Sequence, residues 1–187
     1  MSIDQILDDI FPLSISSKEL LKELITEVKY RKGHLLLSAD KIERNSYFIK
    51  KGMARAFSYK EDTEITFWFG KEGETIISMN SYIANQKGYE FIELLEDCDL
   101  YELKTQKLKK LFDQDIQIAN WGRCFAEREL IKTEERLISR QVRTASQRYK
   151  SLLSDHPDLI KRVQLGHIAN YLGITQVSLS RIRAEIR

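Results

Sequence analysis

The sequence has little cysteine, and this limits the chemistry that it can support. There are two cysteines among 187 residues. An iron–sulfur cluster takes about four thiolate ligands, so a sensor built on such a cluster is excluded. Cys98 and Cys124 lie in apolar surroundings without a close Cys or His partner. We therefore expect buried structural thiols rather than a disulfide or a redox pair, and a reducing environment suits them.

Histidine is also scarce, with three residues, and only His34 falls in the part of the sequence that predicts strands. A cupin-like metalloenzyme needs clustered His and carboxylate ligands, so this class is disfavoured. The sequence contains no glycine-rich phosphate loop and no context that would activate a serine or cysteine nucleophile. We expect no catalytic residue, no metal site and no enzymatic activity.

Long hydrophobic runs are absent too. The longest uncharged run, residues 163–180, includes Gln164, His167 and Asn170 and cannot be a membrane span. The first nine residues carry Asp4, Asp8 and Asp9 where a secretory signal would carry basic residues. These features predict a cytoplasmic protein.

The net charge of +2 is small, but the charge is unevenly distributed. Residues 1–139 contain 21 Lys and Arg against 25 Asp and Glu, whereas residues 140–187 contain 9 against 3. The basic excess therefore lies at one end of the chain, where a polyanionic partner is expected to bind.

The first half of the chain predicts strands after one helix. Ser16 and Glu19 have capping-box spacing, and the apolar residues of 20–28 form one helical stripe, so a helix is expected over 16–28. From about residue 32 to 103, glycines separate short runs that are rich in β-branched and aromatic residues, such as residues 64–69. Many short strands of this kind predict a sandwich or a jelly-roll barrel.

After residue 104 the sequence has few glycines and prolines and predicts helices. A short helix begins near Leu108, and a longer one runs to about Arg140 with a narrow apolar stripe, which is typical of a helix that pairs with a copy of itself. The alternative is a helix packed on its own β-domain. The predicted dimerisation residues are Ile118, Trp121, Phe125, Ile131, Leu137 and Ile138. A further helix begins at the capping pair Thr144 and Gln147 and ends before Pro157.

Residues 163–183 have the spacing of a helix-turn-helix. Ala169 is small where two helices approach, Gly173 is placed for a left-handed turn residue, and Leu179 faces the interior six residues later. The alternative is an ordinary helical hairpin with solvated arginines. The apolar cluster is completed by Ile168, Leu172, Ile174 and Ile182.

Thr175 is a good N-cap for the second helix of this pair, which we expect over 175–187. Its outer face is predicted to read bases through Gln176, Val177, Ser180 and Arg181, because Arg pairs with guanine and Gln with adenine. The predicted phosphate contacts are Thr175, Ser178, Arg183, Arg187, Lys161, Arg162 and Lys150, with Arg148 beside them.

This order of elements resembles the Crp/Fnr superfamily of bacterial transcription regulators. Residues 47–52 (YFIKKG), 89–97 (YEFIELLED) and 167–174 (HIANYLGI) look most like a Bacteroidetes-type branch. The resemblance implies an α+β fold with three parts. They are a cyclic nucleotide-binding-like jelly roll over 1–112, a long dimerisation helix over 113–140, and an all-helical, winged-helix-like helix-turn-helix domain over 141–187. It also implies a homodimer that binds double-stranded DNA, with RNA polymerase as a further partner.

The sequence departs from the family's pattern at three places. Arg181 matches a base-reading arginine of the family, but Val177 stands where the family commonly has Glu, so a different operator is expected. Residues 75–95 contain no Arg for a cyclic-nucleotide phosphate, and Lys87 is their only basic residue. Residues 73–74 (GE) come too early for a ribose clamp and are expected to form a β-turn. The family usually has a β-hairpin wing after the second helix of the helix-turn-helix, but no such segment is present before residue 187. Either the wing is natively absent or the sequence is truncated.

The sequence thus predicts a dimeric transcription regulator that reads a two-fold symmetric operator and is not controlled by cyclic AMP. No cofactor is expected, and the small-molecule effector of the β-roll, if there is one, is not identified. The alternative function is a protein-interaction module that does not bind DNA.

Overall fold

A computed structural model describes residues 1–186 of the chain. These residues form two compact units. The first comprises Met1–Ala56 and Phe69–Glu129, and the second comprises Phe57–Trp68 and the chain from Leu130 onward. The division falls inside the long helix rather than at residues 112 and 140, and a segment of the β-rich half belongs to the second unit.

The chain begins with two short helices, α1 (Ile3–Ile10) and α2 (Ile15–Lys22). The predicted capping box at Ser16 and Glu19 is wrong, because Ser16 lies inside α2. The N-cap is Ser14, whose hydroxyl accepts from the Ser17 N–H at 3.3 Å. Residues Ile25–Tyr30 are strand β1, so the predicted helix over 16–28 is wrong in its second half. The apolar residues from 20 to 28 fit a helical stripe, but Ile25 and Val28 pair with Leu103 and Leu100 in a sheet. Long-range pairing therefore overrides the local pattern.

Eight strands form the β-roll that the sequence predicts. The remaining strands are β2 (Leu35–Leu37), β3 (Asn45–Lys51), β4 (Ala54–Lys60), β5 (Thr63–Gly70), β6 (Thr75–Ile76), β7 (Phe91–Leu94) and β8 (Cys98–Lys104). They form two four-stranded sheets with the orders β1-β8-β3-β6 and β2-β7-β4-β5. A π-helical turn, Asn80–Ala84, lies between β6 and β7. The predicted β-turn at residues 73–74 is confirmed: the Glu74 N–H donates to the Lys71 carbonyl at 2.9 Å, and Gly73 has a φ of +87°.

Helices cover one face of the sheet β1-β8-β3-β6. Helix α3 (Thr105–Phe112) follows β8, and the 27-residue helix α4 (Ile116–Val142) follows α3. Asp115 caps α4: its carboxylate accepts from the Gln117 and Ile118 N–H groups and from the Ser17 hydroxyl, and these bonds lower its pKa. The buried cluster between sheet and helices consists of Ile6, Leu7, Leu21, Phe48, Tyr101, Leu103, Leu108, Ile118 and Trp121.

The second unit is helical apart from its β4–β5 segment. It contains α5 (Ala145–Asp155), α6 (Leu159–Arg162), α7 (Leu165–Leu172) and α8 (Gln176–Ile186). The predicted capping box is present, since Thr144 and Gln147 each bond the other's backbone N–H. Helix α5 ends at His156, directly before Pro157, as predicted.

Two further sequence predictions concern cysteines and membrane spans. Both cysteines are free thiols; Cys98 is buried, but Cys124 is only half-buried, so the expectation of a buried thiol holds for Cys98. Within the described part of the chain, no helix combines the length and the apolar character needed to cross a bilayer.

Candidate nucleic-acid interface

Helices α7 and α8 form the predicted helix-turn-helix. Gly173 ends α7 in the left-handed conformation, with a φ of +68°, and the Ile174 N–H donates to the Ala169 carbonyl at 3.0 Å. This bond closes the six-residue loop of a Schellman motif, which only a residue tolerant of positive φ allows without strain. Ala169 and Leu179 are buried as expected. The turn therefore has the geometry that the spacing predicts.

Helix α8 presents a polar tip and an accessible outer face. The Thr175 hydroxyl accepts from the Ser178 N–H at 3.1 Å, so Thr175 is the N-cap. The amide of Gln176 lies over Gly166 at the start of α7, where a side-chain carbon would come within 2.5 Å of its Nε2 atom. All four predicted base-reading residues are exposed: Gln176, Val177, Ser180 and Arg181. They lie on one side of α8 at helical spacing.

The predicted phosphate contacts differ in their exposure. Lys150, Lys161 and Thr175 are exposed, whereas Ser178, Arg162 and Arg183 are half-buried. Arg187 lies outside the described residues. Two lysines from different helices, Lys150 of α5 and Lys161 of α6, are thus exposed in the same unit as α8.

Arg148 has a different role from the one predicted. Its Nη1 donates to the Arg143 carbonyl at 2.5 Å and its Nη2 to the Leu172 carbonyl at 2.7 Å. Its Nε is buried with no hydrogen-bond partner among residues 1–186. The guanidinium therefore caps the C-terminal ends of two helices, α4 and α7. It is not available to contact a phosphate. The sequence pattern could not show this, because a basic residue near the helix-turn-helix serves either purpose.

Asn170 of α7 joins the helix-turn-helix to strand β5 within the second unit. Its Oδ1 accepts from the Thr66 N–H at 2.8 Å, and its Nδ2 donates to the Glu64 carbonyl. Strand β5 is at the edge of its sheet. The side-chain amide of Asn170 supplies both a donor and an acceptor to the backbone of this strand. Sequence reasoning missed this residue, which is separated from Thr66 by 104 positions.

Tyr171, the next residue of α7, lies near the end of α4. Burial raises the pKa of its phenol, and the guanidinium groups of Arg136 and Arg140 oppose this shift. The phenol is therefore neutral at pH 7, and the two arginines lie on the side of α4 that faces α7.

The predicted dimerisation residues divide into two groups. Ile118 and Trp121 are 0% and 2% exposed and belong to the core of their own unit, so their assignment to a dimer interface is wrong. Phe125 is half-buried and stacks on Trp121, with 6.1 Å between ring centroids. For the first half of α4, the alternative interpretation of a helix packed on its own β-domain is correct.

The second half of α4 is different. Ile131, Leu137 and Ile138 are exposed, and Leu130 and Val142, which the sequence analysis did not single out, are 69% and 70% exposed. Leu130 and Leu137 are one heptad apart, as are Ile131 and Ile138. An exposed apolar stripe with a heptad repeat is typical of a helix that pairs with another helix.

The segment between β6 and β7 has an unusual polar interior. Glu90 is 6% exposed, and the buried Oε1 of Glu90 and Oγ of Ser78 have no hydrogen-bond partner among residues 1–186. Both atoms lie close to Gly88, at 2.8 and 2.7 Å from the position that a side-chain carbon there would take. The only basic residue of 75–95, Lys87, is exposed. This segment therefore buries a carboxyl group.

Comparison with known proteins identifies the fold. Residues 27–115 match the family described as cyclic nucleotide-binding domain. FixK2 of Bradyrhizobium japonicum is 20% identical, with a TM-score of 0.74 over 87% of this chain and 84% of that one. A protein of Eubacterium rectale described as a Crp/Fnr-family transcriptional regulator is 17% identical, with a TM-score of 0.69 over 93% and 85%. The catabolite activator protein of Thermus thermophilus is 17% identical, with a TM-score of 0.60 over 97% and 86%. No curated protein matches by sequence.

The chain therefore has the fold seen in Crp/Fnr-type regulators, and its residues 27–115 are similar to the cyclic nucleotide-binding domain family. This confirms the predicted α+β fold and the resemblance on which it rested. The protein of Eubacterium rectale is described as a transcriptional regulator, and the CLP protein of Xanthomonas campestris is described as a global regulator. The Bacteroidetes-type branch stays a prediction.

Proposed function

We propose that this chain is a dimeric DNA-binding transcription regulator of the Crp/Fnr type that reads a two-fold symmetric operator through α8. The observation that carries the proposal is the exposed outer face of α8, with Gln176 and Arg181 on it and a capped N-terminus at Thr175. Arg and Gln side chains on the N-terminal part of such a helix read base edges in the major groove. The exposed Lys150 and Lys161 neutralise phosphates nearby.

The dimer brings two recognition helices to one operator. The exposed stripe of α4, from Leu130 to Val142, pairs with the same stripe of a second copy. A two-fold dimer then reads two half-sites about 34 Å apart, which is one turn of B-DNA. Such a regulator acts in the cytoplasm, and RNA polymerase stays a predicted partner.

Selection of bound duplexes from a random pool tests this proposal most directly. We expect an inverted repeat, and the Val177 position predicts a sequence that differs from the family's usual operator. Binding to the selected duplex should weaken steeply with salt, because each phosphate contact releases counterions. Failure to enrich any duplex at low ionic strength would instead support a protein-interaction module.

Two variants separate base reading from phosphate binding. Arg181→Ala should lose about 1–3 kcal/mol of discrimination between the selected duplex and a scrambled one. Lys161→Ala should weaken binding to both duplexes alike and reduce the slope of log K against log salt by about 0.9. If the two variants lose affinity equally on both duplexes, Arg181 does not read a base.

We also propose that cyclic AMP is not a tight ligand of the β-roll. A phosphodiester needs a cation and hydrogen-bond donors, but residues 75–95 contain no arginine and bury the carboxyl group of Glu90. Titration of the full chain with cyclic AMP by calorimetry should give no saturable heat at micromolar concentrations. A micromolar or tighter dissociation constant would contradict this part of the proposal.

A further inference from the structure

A cavity of about 140 Å³ lies in the first unit between the helix-covered face of the sheet β1-β8-β3-β6 and helix α4. The sheet contributes Phe48 and Leu103, and α4 contributes Trp121 and Phe125. Tyr82 of the π-helical turn closes one side. Thr75 of β6 and Leu108 of α3 also line it, so its walls come from segments between residues 46 and 126 of the chain.

The cavity lies outside the interior of the β-roll. Side chains alternate between the two faces of a strand, and Phe48, Tyr101 and Leu103 belong to the cluster that contacts the helices. Their neighbours Ile49 and Leu100 point to the opposite face, into the roll, and are also buried. A molecule in this cavity would thus contact α4 directly without entering the space between the two sheets.

The chemistry of the walls selects an uncharged occupant. None of the described residues that line the cavity carries a charge. Their polar side-chain groups are the hydroxyls of Ser46, Thr75 and Tyr82 and the indole N–H of Trp121, which already donates to the Leu7 carbonyl at 3.1 Å. An ion placed there would lose its hydration without gaining a partner. Apolar cavities of about 150 Å³ remain dry and take up benzene-sized molecules. Pockets for drug-sized ligands have about 300–1,000 Å³, so this cavity fits something smaller.

The cavity is lined by aromatic side chains, which can pack against the ring of a bound aromatic molecule. Trp121 and Phe125 are stacked with an interplanar angle of 8°, and Phe48 meets Trp121 edge-on at 6.2 Å between centroids. The Lys109 ammonium covers the Tyr82 ring at 4.7 Å from its centroid and donates to the Tyr82 carbonyl. Gly122 lets α4 approach the Phe112 ring, since a side-chain carbon there would lie 2.6 Å from it.

We propose that this cavity binds a small uncharged molecule with about one aromatic ring. Phe125 and Ala126 of α4 form part of its wall, so occupancy acts on the position of α4. The inference concerns the first unit alone and does not depend on whether the second unit binds DNA.

The test uses two probes of equal ring size, toluene and benzoate, and the full-length chain labelled at its methionine methyl groups. Met79 lines the cavity, whereas Met53 is buried elsewhere and serves as an internal reference. We expect toluene to shift the Met79 methyl resonance saturably, at millimolar concentration or below, and to leave Met53 unchanged. Benzoate should have at least tenfold lower affinity, because its carboxylate finds no partner. The absence of a saturable toluene shift at Met79, or equal binding of both probes, would overturn the proposal.

Two variants of adjacent residues of α4 provide the matched comparison. Ala126 lines the cavity and is exposed, so Ala126→Phe should fill its mouth and weaken toluene binding at least tenfold. Glu127→Phe adds the same side chain at an exposed residue that does not line the cavity and should bind toluene like the unmodified chain. Unchanged toluene binding by Ala126→Phe would contradict the assignment. Toluene binding that appears only in a monomeric variant would mean that a second copy fills the cavity, and it would also overturn the proposal.

Discussion

At the scale of single residues, two basic side chains of α5 show why composition alone does not assign a role. Arg148 and Lys150 are two residues apart in a basic segment, and both are sequence candidates for phosphate binding. Lys150 is exposed, whereas the Arg148 guanidinium is bonded to the carbonyls of Arg143 and Leu172. A planar guanidinium with several donors can bond the free carbonyls at two helix ends at once, which the single ammonium of a lysine cannot do in the same geometry.

The two residues should therefore respond differently to removal. Arg148→Ala should lower the free energy of unfolding by about 2 kcal/mol, because two carbonyls lose a charged donor. It should leave the salt dependence of DNA binding unchanged. Lys150→Ala should change stability by less than about 0.5 kcal/mol and reduce the slope of log K against log salt by about 0.9.

Urea unfolding and DNA titrations at several salt concentrations measure both effects. A stable Arg148→Ala variant with a reduced salt slope would show that Arg148 contacts phosphate after all, and the structural role assigned here would fail.

The exposure of the proposed base-reading residues of α8 could be predicted from the sequence, whereas the contacts of Arg148 and Asn170 could not. Helical periodicity places Arg181 on the side of α8 opposite the buried Leu179 and Gln176 at the border of that side, and no other part of the chain is needed for that inference. Arg148 and Asn170 act on backbone groups 24 and 104 positions away. One sequence contains no signal for a polar side chain that bonds the backbone of a distant element.

At the scale of elements, the contact between α7 and β5 joins a helix of the helix-turn-helix to a strand of the β-rich half. Thr66 is fully buried, so its N–H must be satisfied within the protein. Asn170 does this through its side-chain amide and bonds the Glu64 carbonyl as well. The contact lies within the compact unit that contains residues 57–68 as well as α7 and α8.

Asn170→Ala should release this strand segment. The loss of both bonds leaves the Thr66 N–H without an acceptor and should cost about 1–3 kcal/mol. Amide hydrogen exchange at Thr66 should become at least tenfold faster. Asn120→Ala, the same substitution at a half-buried position in the first unit, should leave exchange at Thr66 unchanged. If Thr66 keeps its protection in the Asn170 variant, the amide contact does not hold the strand.

Local signals predicted helix ends better than they predicted which element a segment forms. The Thr144 and Gln147 pair, Pro157 and Gly173 each act within one helical turn. The start of α5, the end of α5 and the end of α7 are where these residues predict them. The segment at 25–30 has apolar spacing compatible with a helix, but it forms β1 because β8 offers pairing residues 68 to 78 positions later in the chain. The sequence predicted an apolar stripe on α4, but it assigned the buried Ile118 and Trp121 to a dimer interface and did not single out Leu130 and Val142. Which partner covers each half of the helix depends on tertiary packing.

At the scale of the whole molecule, α4 changes its surroundings along its length. Its first half is covered by the chain's own core at Ile118 and Trp121, and its second half exposes five large apolar side chains. Exposed apolar area of this kind is unfavourable in a monomer and favours association. The members of this stripe are Leu130, Ile131, Leu137, Ile138 and Val142.

Leu137→Glu should therefore convert the proposed dimer to a monomer. A charge in the middle of the proposed pairing stripe would be desolvated without a partner, which costs several kcal/mol. We expect a monomeric mass by light scattering at micromolar concentration and at least tenfold weaker binding to a two-fold symmetric operator. Thr133→Glu introduces the same charge at an exposed residue of α4 outside the stripe and should remain dimeric. A dimeric Leu137→Glu variant would place the dimer interface elsewhere, and a monomeric unmodified chain would refute the dimer itself.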